Sequence, residues 1–146
     1  MPIDVDDVCF NKASIIERAL SRALEEFAAD PRLESHTHMD AMILNLERAC
    51  QAAIDLAMHL IAKYHLGMPQ NSADAFRILN QADVITESTA RTMIAMTGFR
   101  NIAIHEYQKL DPTVLRAIGE HRWHDVVSFC QELGLRITPH PPDEGA

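Results

Sequence analysis

Apolar side chains recur along this chain at intervals of three and four, the spacing that lines one face of an α-helix. Val8, Ile15, Ile16, Ala19, Leu20, Ala23, Leu24 and Phe27 keep it, with Arg18, Arg22, Glu25 and Glu26 on the opposite side. The pattern predicts a first helix over 7–29. Asp30-Pro31 closes it, because proline cannot extend the helical ladder and disfavours a helical residue before it. A longer stripe, from Met39, Met42 and Ile43 through Leu60, Ile61 and Tyr64, predicts a second helix over 37–66. Gly67 is placed to stop it and Pro69 follows. Ser72 predicts the cap of a short third helix over 73–82, anchored by Phe76 and Leu79. Thr86-Glu87 opens a fourth. Asp111-Pro112 opens a fifth, with a capping carboxylate before proline at the first helical position, and Gly119 breaks it. A last helix over 121–133 stops at Gly134.

Five or six helices joined by short loops predict an all-α, up-down bundle. Residues 1–137 read as one domain, and 138–146, with Pro139, Pro141 and Pro142, as a loose tail. Composition agrees. An apolar content of 47% over 146 residues suffices for a core, and an aromatic content of 5% with few β-branched runs argues against sheet. The acidic opening, Asp4, Asp6 and Asp7, predicts no secretory leader. Glu47, Arg48, Asp55, His59 and Lys63 interrupt the most apolar helix, which predicts no membrane span. Cys9, Cys50 and Cys130 are odd in number and far apart. They read as reduced core thiols of a cytoplasmic protein, not as disulfides or a zinc knuckle.

The formal net charge of −8 counts against general nucleic-acid binding and against a DNA partner. Chemistry on RNA then needs positive charge gathered locally, and Arg91, Arg100 and Lys109 stand near one unusual run. That run is Gly98 to Tyr107. Arg100 offers a planar fork of donors for a phosphate. His105 can exchange a proton near neutral pH. Asn101, four residues before His105, shares its helix face and can orient the imidazole or hold a substrate oxygen. Tyr107 falls about 20° off the Arg100 stripe. Arg100 and His105 are separated by about 140° and about 7.5 Å on a straight helix. They meet on one phosphate only if Arg100 curls, if the helix bends or ends near Gly98 or His105, or if a second copy completes the site. The last, with some bending, is the expectation.

Arg-Asn-x3-His-x-Tyr over 100–107 resembles the motif of the HepT-like toxins, a branch of the HEPN superfamily of helical ribonucleases. The second-helix run 43–57 and the connector 66–72, followed by Asp74 and Phe76, resemble the same family, and the likeness covers roughly residues 8–133. It departs at Gln51, where many relatives carry an acidic residue, so no carboxylate role transfers there. The resemblance implies a HEPN-like homodimer. It implies a metal-independent endoribonuclease toxin of a type II/VII-like toxin–antitoxin pair that uses no cofactor. Arg100 would hold the phosphate, His105 would serve as general acid or base, and Asn101 would orient His105 or the ribose. It also implies a partner, a minimal nucleotidyltransferase antitoxin encoded beside it, which attaches AMP to Tyr107 and so silences cleavage.

Each residue also has a plainer reading. Arg100 can be a surface arginine paired with a helix carboxylate, His105 a structural histidine, and Tyr107 a core-edge aromatic. Asp55 and His59, four apart, can form a helix-surface pair or face the motif, with Arg48 seven residues before Asp55. The pairs His36/His38 and His121/His124 lack a convergent third ligand and read as exposed, so no metal is expected. Two alternatives to the enzyme remain: a HEPN dimer without catalysis, serving a nucleotidyltransferase as partner- or nucleotide-binding subunit, and a purely structural bundle.

Overall fold

Asp6 starts the fold. Its carboxylate accepts the Cys9 N–H at 2.9 Å and caps α1 (Asp7–Ala29). A computed structural model describes residues 2–140. Asp30 ends α1 and bridges the turn, its carboxylate accepting the N–H groups of Glu34 and Ser35. Ser35 then caps α2 (His36–Lys63). The short turn sets α1 and α2 antiparallel. Ile16, Leu20 and Ala23 meet Met42, Ala49, Ala53, Leu56 and Leu60 in a fully buried seam.

The other helices close over this hairpin. Asn71 caps α3 (Ser72–Gln81), one residue before the expected Ser72. Thr86 caps α4 (Glu87–His105). A 3-10 turn, Tyr107–Lys109, leads to α5 (Pro112–Ala117), capped by Asp111. A π-helical segment, Ile118–Arg122, continues into α6 (Trp123–Glu132). Phe76 of α3 and Phe129 of α6 pack edge to face at 5.4 Å in the centre. At the rim the Glu132 carboxylate accepts the Thr86 N–H at 2.7 Å and also takes the Thr89 hydroxyl, so the end of α6 holds the start of α4. Among the described residues there is no strand, and no helix is long and apolar enough to cross a membrane.

Several expectations need correction. Gly119 does not break a helix: it lies buried inside the π segment, where a Cβ would stand 2.6 Å from the Phe27 ring. Its missing side chain lets the segment approach α1. The second helix stops at Lys63, not Leu66, because His65 takes a left-handed φ of 53° ahead of Gly67. Val8 is exposed; Cys9 and Ala13 carry that turn of the α1 stripe. Glu26 does not face out. It is buried, and its carboxylate takes Arg22 at 2.7 Å and the His38 Nδ1–H at 2.5 Å, with His38 itself left partly exposed. The expected loose tail falls mostly on 141–146, outside the described residues. Before it, the Thr138 N–H donates to Glu17 at 2.6 Å on α1.

Candidate active site

α4 carries the motif. It stays helical through Gly98 and ends at His105, so Arg100 and His105 leave it about 140° apart. Arg100 lies half-buried against α2. Its Nε is buried without a hydrogen-bond partner, and its Nη1 donates to Asn101 Oδ1 at 3.4 Å. Its charge is felt by the buried Cys50 thiol, although burial dominates there and pushes the thiol up to about 12. His105 stands exposed on the last turn of α4, and no side-chain hydrogen bond among the described residues holds it. Among the described residues Asn101 therefore bonds Arg100, and no hydrogen bond joins it to the imidazole.

Tyr107 opens the 3-10 turn directly after α4. Its hydroxyl donates to Asp40 Oδ1, near the start of α2. Partial burial, then the Asp40 bond and the charges of Asp40 and Glu47, raise the phenol to about 12. Asp40 and Glu47 share a flank of α2, seven residues apart. Asp40 carried no signal in the sequence: it is an ordinary exposed acid 67 residues from Tyr107. Around the motif, Ile102 and Ile104 of α4 and Leu44 of α2 are exposed, apolar groups with no cover in a single chain.

The supporting candidates sit elsewhere. Asp55 and His59 form no pair. Asp55 accepts from Gln51 Nε2 at 2.8 Å and from Lys12 Nζ at 3.5 Å. With Arg48 and Arg18 these residues line a groove of about 370 Å³ between α1 and α2. The His59 Nε2–H donates to Asp6 Oδ2 at 2.7 Å. Asp6, Cys9 and His59 bring possible metal-binding atoms within 4.8 Å of one another, but the Lys63 ammonium already stands 3.1 Å from Asp6 Oδ2. The arrangement is a clasp that ties the start of α1 to the end of α2. The Cys9 N–H, then His59, hold the Asp6 carboxyl well below the usual carboxylate range.

The arrangement can therefore offer one guanidinium, preset against α2 with spare donors, and one free imidazole. A phosphodiester can be held by the first, and a proton moved by the second. Within one chain the two do not share a face.

The family model described as Ribonuclease HepT-like matches residues 11–133. The chain is 34% identical over 126 residues to the mRNA nuclease HepT of Shewanella oneidensis, covering 86% of this chain and 95% of that protein. It is 29% identical over 91 residues to the tRNA nuclease HepT of Aphanizomenon flos-aquae, covering 62% of each. A solved structure of a tri-AMPylated Shewanella oneidensis HEPN toxin in complex with MNT antitoxin superposes with a TM-score of 0.84. Identity there is 33%, over 88% of this chain and 98% of that one. A match of that extent, together with the shared helical architecture, means that this chain belongs to the HepT-like ribonuclease family of HEPN toxins.

Proposed function

We propose that this chain is a metal-independent endoribonuclease toxin that cuts RNA at a site shared between two copies, and that a minimal nucleotidyltransferase antitoxin silences it by attaching AMP to Tyr107. The observation that carries this reading is the divergence of Arg100 and His105 on one uninterrupted helix, beside exposed Ile102, Ile104 and Leu44. A second copy docked on those apolar groups covers them and brings one chain's His105 toward the other's Arg100. It also brings a second Arg100 to the site, which a chain of net charge −8 needs in order to hold RNA, because Arg91 and Lys109 are paired with Glu87 and Glu106.

RNA supplies its own nucleophile. The ribose 2′-oxygen attacks the adjacent phosphorus, the bond to the 5′-oxygen breaks, and a 2′,3′-cyclic phosphate remains. His105 moves the proton in this exchange. Arg100 faces the oxygens that gather charge in the transition state, its guanidinium already half withdrawn from water, where such contacts are stronger. The three buried free thiols suit a reducing cytoplasm. AMP on Tyr107 adds a bulky anion two residues from His105, which repels RNA phosphate and fills the cleft. The AMP-modified relative held by its antitoxin supports this part of the reading.

The test is cleavage of RNA by the purified chain beside Arg100→Ala and His105→Ala. Each substitution is expected to lower the rate about 10²-fold or more. A second reading, a HEPN dimer without catalysis that binds nucleotide for its partner, draws on the acidic charge and on the unbraced His105. It predicts no growth arrest when the chain is expressed alone. The nuclease predicts arrest that His105→Ala abolishes.

A further inference from the structure

Adenylyl transfer onto a tyrosine needs something to take the phenolic proton. In this protein a carboxylate of the acceptor chain itself already accepts that proton in a hydrogen bond. The Tyr107 hydroxyl donates to Asp40 Oδ1, and among the described residues Asp40 makes no other side-chain bond. Asp40 is exposed near the start of α2 and capping of that helix falls to Ser35, so neither a cap nor an ion pair accounts for it.

We infer that Asp40 is the general base for AMP attachment to Tyr107, so that the toxin supplies part of the chemistry that silences it. The inference rests on the adenylylation reading above. The Tyr107 oxygen forms a bond to the α-phosphorus of a nucleoside triphosphate, the bond from that phosphorus to the β-phosphate oxygen breaks, and pyrophosphate leaves. The proton passes from the phenol to Asp40 Oδ1 and then to water. An aspartate that accepts a hydroxyl proton during phosphoryl transfer plays this part in protein kinases, where the enzyme provides it.

The surroundings of Tyr107 make such a base necessary. With the phenol raised to about 12, phenolate amounts to about one part in 10⁵ at pH 7, too little for attack without proton transfer. Glu47 is the other charge that acts on the phenol, and it too opposes phenolate. The geometry a general base requires, a hydrogen bond to the proton it removes, is already in place. The product then loses its hold. Tyr107 bearing AMP has no hydroxyl to donate, and its phosphate is repelled by Asp40 and Glu47, so the modified side chain leaves α2.

The experiment incubates the full chain, or Asp40→Asn, Asp40→Ala or Tyr107→Phe, with ATP and the nucleotidyltransferase encoded beside it, and follows intact mass with time. Asparagine keeps an oxygen that accepts the phenol but cannot take its proton. The expected result is AMP on the wild type, none at this position in Tyr107→Phe, and an initial rate about 10²-fold lower in both Asp40 variants. KM for the chain should be unchanged in Asp40→Asn. The Asp40→Asn rate should climb steadily with pH, as hydroxide takes over the proton transfer that the carboxylate performs in the wild type. Modification of Asp40→Asn at the wild-type rate overturns the role of Asp40 and leaves the adenylylation reading standing. A wild type that takes no AMP on Tyr107 overturns both.

Discussion

Arg100 and His105 lie five residues apart on one unbroken helix, and they differ in how the protein holds them. Arg100 is half-buried, with its Nε orphaned and Asn101 against its Nη1. His105 is exposed and unbraced on the last turn. The guanidinium is preset, and the imidazole has no hydrogen-bond partner among the described residues.

A buried donor without a partner costs about 1–3 kcal/mol. Arg100→Met keeps the packing of the long stem and removes the orphaned group. It should therefore hold or raise stability by about 1 kcal/mol while lowering RNA cleavage by about 10²-fold. Thermal unfolding and cleavage rates measured on the same preparation check this. A large loss of stability would mark Arg100 as a structural residue.

Gly119 is held by sterics. A Cβ there would meet the Phe27 ring at 2.6 Å, well inside ordinary contact. Gly119→Ala should cost about 1–3 kcal/mol as overpacking, and Phe27→Leu in the same chain should recover part of the loss. Chemical denaturation of the single and double variants measures both.

Asp6 gives the fold a dependence on acid. Its carboxyl is depressed in the folded state, first by the Cys9 N–H and then by His59. A depressed carboxyl contributes stability that is present in full above its unfolded value, about 3.9, and is lost as pH falls toward the folded one. The stability gap between wild type and Asp6→Ala should shrink steadily as pH falls below about 4. Denaturation midpoints across that range report it.

What the sequence discloses about this fold is local. The bounds of α1, the caps at Thr86 and Asp111 and the stop at Gly134 depend on neighbours a few residues away. The motif is legible for the same reason, since Arg100 to Tyr107 sit within eight residues. Contacts made by folding were not legible. Glu26 looks like a surface acid until His38 arrives from α2. Gly119 looks like a helix breaker until Phe27 fills the space beside it. Asp55 and His59 have the spacing of a pair, but Lys12 and Gln51 take the first and Asp6 the second. Asp40 gains meaning only when Tyr107 reaches it.

The central claim is that each cleavage site draws Arg100 from one copy and His105 from the other. Mixing Arg100→Ala chains with His105→Ala chains, under conditions that let subunits exchange, tests it most directly. Each variant alone should be inactive. In a mixed dimer one of the two sites regains an intact Arg100 and an intact His105. The account predicts that RNA cleavage returns on mixing, approaching about half the wild-type rate per mixed dimer if its one intact site works independently. If mixed dimers form and remain as inactive as the two variants apart, the shared site is contradicted.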